Sequence, residues 1–323
     1  CRMRSFEELS LSFSTRFETD HFPTTPDTLY GPNRYFLKLG GKRVRPVLCL
    51  MGHELFDELN EDTWQLATAV ELFHNFTLIH DDIMDQAPLR RGLPTVHTKF
   101  GVNTALLSGD VMLIKAYEYV SHISTKHQSE VLQLFNQTAR EVCEGQQLDM
   151  DFENRDQVAI DEYLRMIELK TSVLLAASLQ LGSMLGGATQ RNQERLYEFG
   201  RKLGLAFQVQ DDYLDAFGDP EKFGKQVGGD ILANKKTFLL IHALEVADPS
   251  TKAELMQLMQ ENPADKVARI LGVFRKTGVD AWALELKKRF LNEAMSALDD
   301  IAVLSVRKKP LIDLAHYLIQ REH

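Results

Sequence analysis

Two stretches of this chain place three aspartates at positions i, i+1 and i+4 at the end of an apolar run. They are Leu78-Ile-His-Asp81-Asp82-Ile-Met-Asp85 and Gln208-Val-Gln-Asp211-Asp212-Tyr-Leu-Asp215. On a helix turning about 100° per residue, i and i+4 lie about 40° apart and i+1 lies about 60° from i+4, so all three carboxylates share one sector. Three anions on one face repel one another unless water or cations compensate them. Hard carboxylate oxygens with coordination positions to spare suit Mg²⁺ bound jointly with a phosphate. A lone Asp-Asp-x-x-Asp is more often a solvated acidic helix end. Two copies weigh against that, because each follows a buried-looking apolar run, Phe73 to Ile79 and Leu203 to Val209, where uncompensated carboxylates are costly. An acidic C-terminal helix end also opposes the helix macrodipole.

Basic residues stand beside both clusters. Arg90-Arg91-Gly92 follows the first, Lys225 and Lys235 follow the second, and Gly40-Gly41-Lys42-Arg43-Val44-Arg45-Pro46 precedes them. The glycine pair leads into an expected helix start with proline in its first turn, and such a start offers N–H groups and a positive dipole end to phosphate. Any one of these side chains taken alone is more often a solvated surface charge. Grouped in glycine-bearing connections beside the acidic motifs, they complete a diphosphate site in which magnesium and a cationic clamp share the negative charge. His74 lies seven residues before Asp81, two helical turns back and on its face, although a lone histidine is more often structural. Lys170-Thr171 falls inside an apolar helix, where the ammonium loses hydration and asks for an anionic partner. Gln146 and Asp149, in Gly145-Gln-Gln-Leu-Asp149, have a similar but weaker claim.

These residues must be positioned by helices. Apolar side chains recur at helical spacing, as in Trp64, Ala67, Val70, Phe73 and Phe76, and few runs alternate with period two. Proline and glycine cluster at 23–32, 40–46, 87–94 and 218–229, which places connections there. The reading is all-α. No linker of biased composition and no solenoid repeat divides the 323 residues, so one domain over 1–323 is expected. With 44% hydrophobic and 26% charged residues, a sizeable core is available. The net charge of −9 argues against nucleic acid as a partner. Cys1, Cys49 and Cys143 are too few and too scattered for a disulfide framework, which points to a reducing cytoplasm. The most apolar window, 171–188, contains Ser172, Ser178, Gln180 and Ser183 and reads as a buried core helix rather than a membrane span. No signal peptide is visible. The chain opens on Cys1 with no methionine, which leaves its true start open.

Gly-Gly-Lys-x-x-Arg-Pro, Asp-Asp-x-x-Asp with Arg-Arg-Gly, Lys-Thr, and Phe207-Gln208-x-Gln-Asp-Asp-x-x-Asp occur here in the order found in the trans-isoprenyl diphosphate synthases, a family this sequence resembles from about Tyr35 to Lys235. The resemblance implies an all-α helical bundle around a deep central cavity, usually a homodimer, that adds isopentenyl diphosphate head to tail to an allylic diphosphate. Lys42, Arg45, His74 and Arg91 then resemble the isopentenyl diphosphate site. Arg90, Lys170, Thr171, Gln208, Lys225 and Lys235 resemble the allylic site, and Asp81, Asp82, Asp85, Asp211, Asp212 and Asp215 would hold about three magnesium ions, some through water or through the arginines. Arg321 matches the family's basic C-terminal tail only loosely.

Competing readings are a class I terpene cyclase, which needs no Lys42/Arg45 site, and an inactive regulatory subunit of the same fold, which typically lacks an aspartate motif. For product length, Phe76 and Thr77 stand five and four residues before Asp81, more than one turn below it, with Phe73 a turn deeper. Periodicity alone makes Phe76 a core aromatic. An aromatic at the fifth position with a small residue at the fourth resembles the archaeal-type geranylgeranyl synthases, which implies a C20 product ahead of C15.

Overall fold

The computed structural model describes residues 3–219 and 227–320. In chain order these form α1 (Phe6–Phe17), α2 (Asp27–Lys38), α3 (Val44–Glu54), α4 (Glu61–Met84), strands β1 (Leu89–Arg90) and β2 (Leu93–Pro94), α5 (Val96–Phe100), α6 (Val102–Ser121), α7 (Thr125–Glu153), α8 (Ile160–Ile167), a π-helical turn (Glu168–Ser172), α9 (Val173–Leu185), α10 (Gln190–Phe217), α11 (Gly229–Leu232), α12 (Phe238–Val246), α13 (Pro249–Glu261), α14 (Lys266–Thr277), α15 (Val279–Asp299) and α16 (Ser305–Gln320). The expected all-α class is borne out; the one sheet among the described residues is the antiparallel pair β1–β2. None of the described helices is long and apolar enough to cross a membrane.

Local chemistry explains where the site-bearing helices begin. Asn60 caps α4 by accepting from the Thr63 N–H, and Glu61 and Asp62 complement the positive dipole end. Thr237 caps α12 through the Leu240 N–H. Asp248 followed by Pro249 opens α13. Helix α3 is different: Arg43 precedes it at φ 55, and no side chain caps its first turn.

The chain divides into two compact units. The first gathers the residues up to Gln137 with Ala177–Tyr197 and Ala302–Leu311. Its core is the buried face of α4, including Leu66, Val70, Phe73 and Ile79, against α3 and α6. Glycine lets backbones meet there. A Cβ on Gly182 of α9 would lie 1.8 Å from the Cys49 carbonyl of α3, and one on Gly52 would lie 2.2 Å from the Leu179 carbonyl. The second unit comprises Thr138–Ala176, Glu198–Ile301 and the chain from Ile312. Around its π-helical turn the same device recurs, since a Cβ on Gly145 of α7 would lie 2.3 Å from the Lys170 N.

Replacing Gly182 with alanine must push α3 and α9 apart, because the obstructing atom is backbone rather than a flexible side chain. Gly182→Ala should lower stability by about 1–3 kcal/mol, read as a reduced urea midpoint with an unchanged slope. Wild-type stability in that variant would mean that the helices do not cross this closely.

Candidate active site

The first aspartate motif closes α4, with Asp81 and Asp82 in its last turn and Asp85 as its C-cap. Burial separates the three: Asp82 is buried, Asp81 half-buried and Asp85 exposed. Arg90 holds Asp82 with two parallel bonds, Nε to Oδ2 at 2.9 Å and Nη2 to Oδ1 at 2.8 Å. This forked geometry is the strong form of a charge-assisted pair. The two-residue loop between β1 and β2 makes it reachable by folding Arg91 (φ 51) and Gly92 (φ 78) tightly back.

The same loop reaches the glycine pair. Arg91 donates through Nη1 to the Gly40 carbonyl, and a Cβ on Gly41 would lie 2.9 Å from Arg91 Nη2, so the bare glycine makes room for the guanidinium. Lys42 is exposed on this turn. Arg45, in the first turn of α3, has Nη1 3.3 Å from His74 Nε2. A guanidinium only donates, so His74 accepts through Nε2 and is the neutral tautomer protonated on Nδ1. Burial, reinforced by Arg45, Arg90, Arg91 and Arg43, holds the His74 pKa well below the usual histidine range. Burial also pushes Arg45 down to about 10, with Glu71 opposing it; the group remains a cation at neutral pH. Arg45 thus touches a neutral imidazole that also feels the charge of Arg90, Arg91 and Arg43, an excess of positive charge suited to an anion.

Phe76 and Phe73 lie below the motif on α4, 8% and 1% exposed. Their ring centroids are 5.6 Å apart; Phe73 continues to Phe135 at 5.4 Å, and Phe76 meets His80 at 4.9 Å. Thr77 turns its hydroxyl onto the His74 carbonyl at 2.6 Å.

In the second unit, α10 carries Asp211, Asp212 and Asp215 near its C-terminal end. Again the middle residue is buried. Asp212 accepts from the Tyr163 hydroxyl at 2.8 Å, the Phe238 N–H at 3.1 Å and Gln208 Nε2 at 2.9 Å. Burial pushes its pKa up to about 6 against the pull of Lys235 and these three donors. Asp215 accepts from the Asp230 N–H through Oδ1 at 2.9 Å. Lys235 Nζ stands 3.9 Å from Asp230 Oδ1. Desolvation works to lower its pKa, but Asp230, Asp212, Asp149 and Asp215 together raise it above the usual lysine value. Lys170 has the anionic partner its burial asked for, Asp149 Oδ2 at 2.5 Å. Lys170 and Thr171 sit on the π-helical turn. Such a turn widens the helix locally and is common at functional sites. Lys225 and Arg321 lie outside the described residues.

Some partners were not among the expected site residues. Glu71 is buried, accepting from Arg43 Nη1 at 3.2 Å and Asn75 Nδ2 at 2.5 Å, and burial raises its pKa. A glutamate inside the apolar run Val70 to Phe73 carries the same desolvation signal that picked out Lys170. Tyr163 and the Phe238 N–H had no comparable signal, because a tyrosine and a backbone amide are unremarkable in any helix sequence.

The sequence matches the family model of polyprenyl synthetases over residues 26–274. The chain belongs to the polyprenyl synthetase family. It is 45% identical over 234 residues to the short chain isoprenyl diphosphate synthase of Methanocaldococcus jannaschii, covering 72% of this chain and 71% of that one. It is 37% identical over 302 residues to the geranylgeranyl diphosphate synthase of Methanosarcina mazei, covering 93% and 92%. A crystal structure of a geranylgeranyl pyrophosphate synthase superposes with a TM-score of 0.93 at 42% identity, covering 99% of this chain and 100% of the other. The expected family membership is therefore borne out, and the all-α fold is shared with solved synthases.

For this synthetase the neutral His74 has a consequence for stability. Its folded pKa lies below the unfolded value of about 6.5, so the unfolded chain takes up the proton first as pH falls. Stability present above about pH 6.5 is then lost on acidification, at a slope approaching 1.4 kcal/mol per pH unit, roughly the worth of one proton. Wild type should lose more stability than His74→Gln when urea unfolding is compared at about pH 7 and about pH 5. Equal losses would mean that His74 titrates normally.

Proposed function

We propose that this prenyltransferase is a magnesium-dependent short-chain trans-isoprenyl diphosphate synthase, condensing isopentenyl diphosphate with an allylic diphosphate primer to give mainly geranylgeranyl diphosphate. The observation that carries the reading is the pairing of Arg45 with neutral His74 on the helix that ends in an aspartate motif, whose Asp82 is forked by Arg90. A second motif of the same spacing in the other unit lies within the electrostatic reach of Lys235, which pairs with Asp230. The M. mazei relative is a geranylgeranyl synthase, in keeping with the Phe76–Thr77 pattern.

Magnesium fits the donor set. The carboxylates are hard oxygen ligands, and among the described residues no three His, Cys, Asp or Glu side chains converge on one point. Mg²⁺ is commonly held by one or two carboxylates, with substrate phosphate oxygens and water completing its shell. Asp81, Asp85, Asp211 and Asp215 would hold it directly, and Asp82 and Asp212 through water, each carboxylate kept in place by the donors that already grip it. When bound, magnesium supplies Lewis-acid stabilisation of charge developing on the leaving diphosphate.

The side chains do the remaining work. Lys42, Arg45 and Arg91 bind the isopentenyl diphosphate, and His74 keeps Arg45 aimed by accepting its N–H. Lys170, Lys235, Lys225 and Arg90 receive the allylic diphosphate as its C–O bond ionises. Gln208, Thr171 and the Lys170 carbonyl turn dipoles toward the allylic cation. The isopentenyl double bond attacks that cation, a C–C bond forms, and the released diphosphate takes the proton. No nucleophilic side chain is required. We take the two units to work as one synthase domain, in a cytoplasmic homodimer.

Turnover with isopentenyl diphosphate and each allylic primer, with products resolved by chain length, tests the reading. Product from an allylic diphosphate alone would indicate a cyclase instead, and no product under any pairing would indicate an inactive subunit. Asp81→Ala and Asp211→Ala should each reduce kcat by on the order of 10²-fold or more while circular dichroism stays helical. Arg45→Ala, removing a charge-assisted contact of about 1.5–3 kcal/mol, should raise KM for isopentenyl diphosphate roughly 10- to 100-fold. The allylic KM should stay nearly constant; equal weakening of both would show that the two pockets are divided wrongly. Phe76→Ala should lengthen the product without altering the magnesium requirement, and an unchanged distribution would return Phe76 to the core.

A further inference from the structure

The second unit buries a lysine that the reaction above does not use. Lys266, the first residue of α14, is 1% exposed. Its ammonium donates to the side-chain carbonyls of Asn234 and Asn262, each at 2.6 Å, and to the Leu232 main-chain carbonyl at 3.4 Å. A lysine has three donors, and here three neutral oxygens take them. No carboxylate is among those partners, and burial pulls its pKa below the usual lysine value. An ammonium buried, among the described residues, on neutral acceptors alone is an expensive tie between chain segments. What the charge adds is hydrogen bonds roughly twice as strong as neutral ones, and hence rigidity at the point where they converge.

That point has a direct connection to the second aspartate motif. Asn234 and Asn262 both hold left-handed backbone, φ 54 and φ 49. The neighbour of Asn234 is Lys235, and the turn from Gly228 to Phe238 meets the motif repeatedly. The Gly228 N–H donates to the Asp215 carbonyl at 2.5 Å, the Asp230 N–H to Asp215 Oδ1 at 2.9 Å, and the Phe238 N–H to Asp212 Oδ2 at 3.1 Å. Val267, next to Lys266, presses on the same turn, since a Cβ on Gly228 would lie 2.9 Å from its Cγ1. The start of α14 therefore fixes the turn at both ends of its short helix α11.

We propose that Lys266 is a positioning residue for the second aspartate motif, fixing through Asn234 the direction of Lys235 and of the amide donors on Asp212 and Asp215. It touches no substrate and acts on the allylic side of the site alone. This rests on the function proposed above.

Two variants test it. Lys266→Met keeps the stem volume and removes the ammonium; Asn234→Gly accepts the left-handed backbone without strain and removes the acceptor. Each should raise KM for the allylic diphosphate, and the magnesium concentration for half-maximal rate, about tenfold, as expected for losing roughly one charge-assisted hydrogen bond. KM for isopentenyl diphosphate should not move. The double variant should fall well short of the product of the two single effects, because both break the Lys266–Asn234 bond, although Asn234 also donates to the Met259 carbonyl and Lys266 to Asn262 and Leu232. In the metal-free protein, hydrogen exchange at the Asp230 and Phe238 amides should accelerate about tenfold while the amides of α4 keep their protection. If Lys266→Met does not fold, Asn234→Gly carries the test. Parallel rises in both KM values, unchanged KM values, or uniformly faster exchange would each overturn the positioning role. Inactive wild-type protein would count against the proposed function, and the exchange measurement would still read the link itself.

Discussion

The structure depends on how it compensates carboxylates that cannot be left alone. In each aspartate motif the middle residue is withdrawn from water and gripped, Asp82 by the fork of Arg90 and Asp212 by a phenol, a side-chain amide and a backbone N–H. An unpaired buried carboxylate is costly enough to protonate or to unfold its surroundings. The gripped residue therefore anchors a helix end whose dipole disfavours it. Its two neighbours in the motif lie nearer the surface. The spacing i, i+1, i+4 thus serves two purposes: one position is spent on anchoring, and the remaining pair is held in a fixed direction for work at the surface.

The cationic side is assembled by the opposite device, which is to force like charges together. Arg43 and Arg91 both occupy left-handed backbone, a conformation that costs a non-glycine residue roughly 1–2 kcal/mol. Gly41 gives up a side chain so that Arg91 can enter. Glu71 stays buried beside Arg43 although burial works against its charge. Each of these is a local expense, and each fixes the place of a guanidinium, Arg43 on Glu71 and Arg91 on the Gly40 carbonyl. Strain concentrated this way is characteristic of a site organised before its ligand arrives. On the proposed function, the ligand is the group that relieves the repulsion.

Much of this was legible in the sequence because it follows from period. The two motifs, the helix start after Gly40-Gly41, the connection at 87–94 and the all-α class are consequences of spacing and of glycine and proline placement. The demand of Lys170 for an anion followed from desolvation alone, and Asp149, marked by its own motif, supplied it. Glu71 was open to the same argument. In the first motif the partner that grips Asp82 is Arg90, only eight residues on and visible in the sequence. The division of labour within the second motif was not legible, because it is set by partners far away in the chain: Tyr163 is 49 residues from Asp212 and Phe238 is 26. The π-helical turn was hidden for another reason. A five-residue widening leaves helical periodicity almost unchanged, and its most visible trace is Gly145, whose missing side chain admits the Lys170 backbone.

One element relates the anion cluster to the rest of the first unit. Helix α4 runs unbroken for 24 residues and carries Glu71, Phe73, His74, Phe76, Asp81 and Asp82. At 1.5 Å per residue, His74 and Asp81 are separated by roughly 10 Å along its axis, and Phe76 and Asp81 by roughly 7.5 Å. A loop could not keep such separations. A helix buried against α3 and α6 can, because its backbone hydrogen bonds and packed face resist both bending and sliding. On the proposed function this makes α4 a ruler: the distance from diphosphate to reacting carbon, and from there to the aromatic pair beneath, is set by residue count. Product length can then evolve by exchanging a side chain at Phe76 or Phe73 while the metal and diphosphate positions stay where they are, which is the property expected of a fold that serves several chain lengths.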